Sequence, residues 1–558
     1  MKAQGANPRA GMKTYRPSDE VDFVVIGSGA AGGVVARELS QGGHSVVVLE
    51  QGPWLTRDQF KHDEFWVNFN GGYTNDFTKV PNTFRKTDKD EARKQAVAQY
   101  AMMVGGSSAH FTANYWRFPE IEFEQATKLG VPDGSSIADW PITYRDLEPY
   151  YTKVDWECGV SGQAGINPFE PWRSKPYPMP PLPIKSEGVL MEKAAKAIGW
   201  HAAPAPMAIT SQPYRGRAAC VNCGFCFGFA CEMGAKSGSL NNVIPEAVKT
   251  GKCEIRTGSY VHKIELNAQG RVSGVRYFDA KKADVLQRAK AVVVCANGAE
   301  TPRLLLNSAT TGHADGLANS SGYVGRNLMS NYNTVALGTF AHEINGWKGF
   351  VVSRIVHDPV VLDKGLGIFG GGGYDFRAMM TPMNAALQTP PGQPRWGSEW
   401  KKGLAKNLSN TVLAIGHTTQ LPVMSNRFDL DPTLKDAWGV PVLRLTFQDH
   451  PNDVAMMKWF GAKGKELMEG AGPESAVDLG IVEQQFPQVH LLGTARMGKD
   501  PRTSVVNADH RAHDVKNLFI VDGSSFVTSG RGQPTMTIQA LAFRAAERMM
   551  ALAKAGDV

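Results

Sequence analysis

Four of the seven cysteines, Cys220, Cys223, Cys226 and Cys231, fall in one short loop, CVNCGFCFGFAC, with the spacing C-x2-C-x2-C-x4-C. Thiolates so close together can wrap an iron–sulfur cluster or a tetrahedral zinc ion. Structural zinc usually pairs two separated dipeptide knuckles, which this loop lacks. The surrounding Gly and Phe residues would shield a cluster and offer backbone amides to its sulfurs. The spacing favours iron–sulfur over zinc and, with so few cysteines elsewhere, assembly in a reducing compartment. Cys158, Cys253 and Cys295 stand apart, and Cys295, inside VVVCA, reads as a buried small hydrophobe.

Gly27, Gly29 and Gly32 form G-x-G-x-x-G in VVIGSGAAGG, and Glu50 ends the following VVVLE. Glycine permits a sharp turn and close approach to a pyrophosphate, and a helix N-terminus favours the anion. An acid about 20 residues on can bond a ribose hydroxyl. The competing reading is a glycine-rich turn without a ligand. The motif does not separate NAD from FAD, but further glycine turns at Gly105, Gly106, Gly298 and Gly523 make one large cofactor touched from several segments the simpler account. His490, in HLLGTARMG between Val489 and Leu491, suits either a satisfied structural role or that of a base. An unperturbed pKa of about 6.5 leaves imidazole mostly neutral, and able to accept a proton, near neutral pH.

These residues need a scaffold. Val24, Val25 and Ile26 read as a buried strand, 34–39 as a helix and 46–49 as a second, parallel strand, which together make a βαβ unit. Residues 53–100 read as a covering segment, and MMVGGSSAHFTANYWRF as a cofactor loop. The Pro-rich stretch 160–215 favours irregular chain over regular structure. Residues 254–296 read as a meander ending in a buried strand, and GAETPRLLLNS as a helix with a Pro near its first turn. VPVLRLTFQ reads as a strand of a different, larger sheet, and the tail returns with the strand and turn NLFIVDGSSF and the long amphipathic helix TMTIQALAFRAAERMMALA. The expected fold is α/β (α+β), a Rossmann-like dinucleotide domain with a second, substrate-binding domain built on a large antiparallel sheet. The expected divisions are 1–335 (with covering segments 53–100 and 150–215 and the cysteine loop 216–240), 336–480 and 481–558.

At 558 residues the chain has room for about three to four domain-sized units. Its 42% hydrophobic and 20% charged residues exclude disordered, collagenous and disulfide-scaffold classes. The net charge of +7 is spread along the chain and argues against a nucleic-acid partner. No stretch approaches the roughly 18 apolar residues of a membrane span. The leader MKAQGANPRAGMKTYRPSDE has no apolar h-region and no twin-arginine pair, so no export signal is expected in it.

The segments VVIGSGAAGGVVARELSQGGHSVVVLEQG, MVGGSSAHFTANYWRF, CANGAETPRLLLNS, VGRNLMSN, HLLGTARMG and NLFIVDGSSFVTSGRGQPTMTIQALAFRAAE resemble, in order, those of the glucose–methanol–choline (GMC) oxidoreductases. The resemblance spans both ends of the chain and covers 336–480 poorly. It implies FAD and alcohol oxidation more firmly than any one substrate. The cofactor contacts it implies are Gly27, Gly29, Ala30, Gly32, Glu50, Gly105, Gly106, Ser107, His110, Val261, Ala296, Gly298, Asp522, Gly523 and Pro534. Among these, Asp522 and Gly523 resemble residues that hold the ribityl and pyrophosphate portions. It also implies that His490 takes the substrate hydroxyl proton while hydride leaves the same carbon for flavin N5. The second catalytic position, His or Asn in the family, is Gln533 here. An amide cannot serve as a base, but it can bond a substrate hydroxyl or developing alkoxide. That leaves His490 as sole base, with Gln533 as orienter or merely tying the turn together. His110 matches a place that binds flavin covalently in pyranose 2-oxidase-like relatives and only lines the site in others.

The cysteine loop resembles that of bacterial FAD-dependent sugar dehydrogenases and glucoside 3-dehydrogenases. These pass electrons through a 3Fe-4S cluster to a cytochrome and pair with a small subunit that carries the export signal. The resemblance implies a 3Fe-4S cluster first and a 4Fe-4S cluster second, with one of Cys220, Cys223, Cys226 and Cys231 spare. Cys231, in CEMGAKS, resembles their CPxGA segment and is favoured as a ligand. It further implies a small-subunit partner, a cytochrome c acceptor and a periplasmic site reached by co-export, with a cytoplasmic enzyme as the alternative. The expected function is oxidation of a sugar or glycoside hydroxyl. The alternatives are an oxygen-using GMC oxidase, revealed by peroxide in air, and a flavin electron-transfer subunit without substrate chemistry. Trp116, Trp347, Trp396 and Trp400 offer a sugar-stacking platform, although core packing is the commoner use of tryptophan.

Overall fold

The computed structural model describes residues 9, 11–69, 71–378, 381–387, 389–480 and 487–558. Residues 1–8 and 10 of the leader lie outside them. Strand Val21–Ile26 pairs in parallel with Val46–Glu50 on one side and with Asp284–Val294 on the other. Cys253–Thr257 and Leu518–Ile520 extend this parallel sheet outward. Val24, Val25, Val46, Val47 and Val48 have no solvent-facing side, because a parallel sheet is covered on both faces, and this makes their apolar runs continuous.

Asp284–Val294 is long enough to serve two neighbours. Its C-terminal half lies in the parallel sheet, while its N-terminal half runs antiparallel to Val272–Phe278, which pairs in turn with Tyr260–Leu266. The meander expected over 254–296 therefore begins only at Tyr260, since Cys253–Thr257 is a parallel strand.

A second, antiparallel sheet of six strands runs in the order Ser475–Asp478, Asn333–Thr339, Thr411–Thr418, Gly372–Ala378, Arg354–Val356, Ala202–Pro204. Helix Pro451–Gly470 lays Met456, Phe460, Leu467 and Met468 into its core with Tyr374 and Val412. Two sequence expectations need correction. VPVLRLTFQ does not join this sheet: its strand, Pro441–Thr446, sits in a separate four-stranded sheet between Arg427–Lys435 and Thr83–Arg85. Alternating apolar residues specify a buried face but not a partner, and here Leu443 and Leu445 pack with Phe428 and Leu491. The Pro-rich stretch also contains a regular helix, Ser186–Ala197, in which good helix formers follow Pro183 and Met191, Ala194 and Ala195 bury against the six-stranded sheet.

Helix Asn297–Asn307 carries Pro302 in its interior rather than at its first turn. The missing amide leaves the Gly298 carbonyl without its helical partner. The Thr494 hydroxyl donates to that carbonyl at 2.7 Å, tying the HLLGTARMG segment to this helix.

Candidate active site

A cavity of about 690 Å³ opens where the parallel strands end, its wall including Ile26, Glu50, Ala296 and Asp522. This is where open α/β sheets bind ligands. Gly27 turns the chain with φ 93°, and Gly29 caps helix Ala30–Gln41, whose first amides lack helical partners. Gly32 is required by contact: a Cβ there would stand 1.9 Å from the Gly27 carbonyl oxygen. Gly106, beside Gly29, leaves 2.9 Å between its hypothetical Cβ and the Gly29 Cα. Of the sequence-derived cofactor residues, Gly27, Gly29, Ala30, Glu50, Gly106, Ser107, His110, Val261, Ala296, Gly298, Asp522, Gly523 and Pro534 line the cavity. Gly32 and Gly105 stand behind that lining.

Glu50 accepts from the Ser28 hydroxyl at 2.7 Å, the Ser28 amide at 3.1 Å and the Gly52 amide at 2.9 Å. Burial raises its carboxyl pKa, against those bonds. Asp522 accepts from the Asn297 amide at 3.0 Å and the Thr301 hydroxyl at 2.6 Å, so strand Leu518–Ile520 and helix Asn297–Asn307 meet at this carboxyl. Dinucleotide phosphates and ribose have, in this wall, a helix N-terminus and buried acids of the kind they require.

His490 and Gln533 line the same cavity. Burial, with His417 and Arg377 adding to it, pushes the His490 ring down to about 4, so it is neutral at ordinary pH. Its Nδ1 is buried without a hydrogen-bond partner. His110 is half-buried in the same wall, its ring lowered to about 4 by burial and by Lys236, and its buried Nε2 has no partner. Unpartnered buried polar atoms are costly to leave so.

The cysteine loop is part of this architecture, with Phe227 and Gly228 lining the main cavity. Lys236 Nζ donates to the carbonyls of Phe111 at 2.7 Å, Cys226 at 2.8 Å and Phe229 at 2.9 Å, binding the cofactor loop to the cysteine loop. Cys220, Cys223, Cys226 and Cys231 are unbridged and line one small pocket, where the Asn222 amide lies 3.4 Å from the Cys220 sulfur. Among the described residues, no three His, Cys, Asp or Glu side chains are arranged to hold a single metal ion. Four thiols in one loop are a donor set that an iron–sulfur cluster or a zinc ion can use.

Sequence reasoning missed the contribution of the six-stranded sheet: Asn333, Arg377 and His417 also line the cavity. Their signal was a polar residue within an otherwise apolar strand, as in TVLAIGHT. None of the four tryptophans lines the cavity: Trp116 is buried against His417 and His357, Trp347 and Trp396 are exposed, and Trp400 bonds Thr389.

The fold and site define a flavin-dependent oxidoreductase acting on CH–OH groups. The family description GMC oxidoreductase matches residues 21–333 and 422–542, and the chain belongs to that family. It is 34% identical over 541 residues to 2-methyl-1,2-propanediol dehydrogenase of Mycolicibacterium austroafricanum, covering 95% of each chain. It is 29% identical to the gluconate 2-dehydrogenase flavoprotein of Pantoea cypripedii (95% of this chain, 93% of that one). It is also 29% identical to the fructose dehydrogenase large subunit of Gluconobacter japonicus (95% and 97%). Among solved structures, formate oxidase of Aspergillus oryzae RIB40 shares the fold with a TM-score of 0.69 at 16% identity, covering 97% of this chain and 100% of that one. No helix among the described residues is long and apolar enough to cross a membrane.

Proposed function

We propose that this protein is a dehydrogenase that oxidises a hydroxyl of a sugar or glycoside to a carbonyl and passes the electrons outward through an iron–sulfur cluster. The observation that carries the chemistry is His490, a ring that burial keeps neutral in the wall of the cavity that Gln533 also lines. FAD, when bound, supplies the hydride acceptor at N5. His490 takes the hydroxyl proton as the carbonyl forms, and burial keeps it ready to accept. Gln533 orients the hydroxyl and donates to the developing alkoxide. Gly27, Gly29 and the N-terminus of helix Ala30–Gln41 hold the pyrophosphate, and Glu50 the ribose.

Three relatives support the substrate class, since their names specify a propanediol, gluconate and fructose, all polyhydroxylated. The relay reading is supported by the cysteine loop, which lines the flavin cavity at Phe227 and Gly228 while its four thiols share a pocket. One relative is named a large subunit, which supports a small-subunit partner, with a cytochrome c acceptor and co-export to the periplasm completing the reading.

The test is an absorption spectrum of anaerobically purified protein, with iron and zinc analysis, before and after a glucoside is added. Flavin bands bleached by the sugar, with about three to four irons per chain, are expected. Zinc or no metal, with peroxide in air, would replace the relay by an oxidase. His490→Ala should retain flavin and lose bleaching by at least about 100-fold. Acid precipitation reads the role of His110: flavin that stays with the protein is covalently attached, and flavin that is released is only lined by the ring.

A further inference from the structure

Gln420 ties together the two turns that carry His490 and Gln533. It follows strand Thr411–Thr418, is 3% exposed and lies outside the lining of the cavity. Its Oε1 accepts from the Ser330 amide, and the Ser330 hydroxyl donates at 2.8 Å to the carbonyl of Val489, the residue before His490. Its own backbone amide donates to the Ser529 hydroxyl at 2.7 Å, at the entry to the turn that leads to Gln533.

The direction of these bonds is forced. A backbone amide can only donate, so the side-chain oxygen of Gln420 must face Ser330 and its Nε2 must face Tyr332. Nε2 donates to the Tyr332 hydroxyl at 2.7 Å, and that hydroxyl donates in turn to Asp449. The chain from Gln420 through Tyr332 to Asp449 therefore reads one way only, and it keeps the buried amide from flipping.

His490 and Gln533 both have backbones in the left-handed region, which non-glycine residues keep only where their surroundings over-determine it. Ser330 holds the His490 turn, and Gln420 fixes the backbone of Ser330. A turn freed to relax would swing the imidazole away from the hydroxyl it serves. A misplacement of about 1 Å can slow a reaction about 100-fold.

We propose that Gln420 is a positioning residue for the oxidation: its side chain fixes the His490 turn through Ser330, its backbone fixes the Gln533 turn through Ser529, and Tyr332 and Asp449 lock its amide. The proposal rests on the reading of His490 as base and Gln533 as orienter.

The experiment follows anaerobic flavin reduction by a methyl glucoside in wild type, Gln420→Leu and Tyr332→Phe, with flavin content and the unfolding midpoint measured on each. Gln420→Leu keeps the backbone bond to Ser529 and most of the side-chain volume but releases Ser330. Its limiting rate at saturating sugar should fall by about tenfold or more, while flavin content and the sugar concentration giving half that rate stay close to wild type. The solvent deuterium isotope effect on the limiting rate should rise, because transfer of the hydroxyl proton to a displaced base becomes slower. Tyr332→Phe, which removes one hydroxyl and leaves Gln420 in place, should change both in the same direction by less. If Gln420→Leu fails to fold with flavin, Tyr332→Phe carries the comparison. A limiting rate and isotope effect equal to those of wild type, or a fall in rate that only tracks lost flavin, would leave Gln420 a structural residue and overturn the proposal. Wild-type flavin that no glucoside reduces would instead overturn the underlying reading, and the role of Gln420 with it.

Discussion

His490 and Gln533 reach one cavity from backbones that both lie in the left-handed region, at φ 53° and 55°. Adjacent residues clamp the two turns. The Ser330 hydroxyl donates to the Val489 carbonyl at 2.8 Å, and the Asn331 amide donates to the Gly530 carbonyl at 2.8 Å. Segment VGRNLMSN thus holds the residues proposed as base and orienter in conformations that non-glycine residues resist.

Gln533→Gly tests that strain. Glycine occupies this φ freely. Denaturant unfolding should show a gain of about 1 kcal/mol, while flavin reduction by substrate slows. No gain in stability would mean that the turn is not strained.

Two neighbouring glycines should fail for different reasons. The nearest heavy atom to a Cβ at Gly29 is 4.0 Å away, so Gly29→Ala should unfold like wild type yet bind FAD more weakly, because its methyl blocks the pyrophosphate. Gly32→Ala drives a Cβ into the Gly27 carbonyl and should lower the unfolding temperature as well. Titration of flavin-free protein with FAD, alongside thermal melts, separates the two.

The His490 ring, depressed to about 4 by burial, should make flavin reduction insensitive to pH between about 8 and 5, with loss only as pH falls through about 4. An inflection near the ordinary histidine value would mean that the ring is solvated. In folding, a depressed histidine pKa means that the unfolded chain binds the proton first. The stability it supports is present above about 6.5 and lost as pH falls from there to about 4. His490→Ala should therefore gain on wild type over that interval in urea titrations at stepped pH.

Asp453 behaves in the opposite sense. Burial pushes its carboxyl up to about 8, although the Leu421 amide donates to it at 3.3 Å. The folded chain holds this proton more tightly than the unfolded one. Its contribution is present below the ordinary aspartate value of about 3.9 and lost as pH rises toward about 8. Asp453→Asn should consequently become more stable relative to wild type between about pH 5 and 8. A constant difference across that range would show that Asp453 stays ionised.

Local chemistry was legible in the sequence wherever a few consecutive residues carry the whole requirement. The G-x-G-x-x-G turn needs only its own backbone and the helix it starts, and the strands around it announce themselves because burial on both faces makes them continuously apolar. The cysteine spacing lies within one loop. The helix Ser186–Ala197 was hidden by the prolines that precede it, and the partner of Pro441–Thr446 by an alternation that several sheets satisfy equally well.

By itself, the sequence determined the dinucleotide turn, the clustered thiols and the identity of His490 and Gln533 as chemical groups. Only the tertiary structure decided that Arg377 and His417, both bonded to Asp375, line the same cavity, and that Lys236 binds the cysteine loop to the cofactor loop. The physical reason is range. Turn geometry and side-chain periodicity are set by neighbours along the chain. Strand register and the approach of one loop to another are set by which distant surfaces bury each other, and a strand's own residues specify its buried face without naming what covers it.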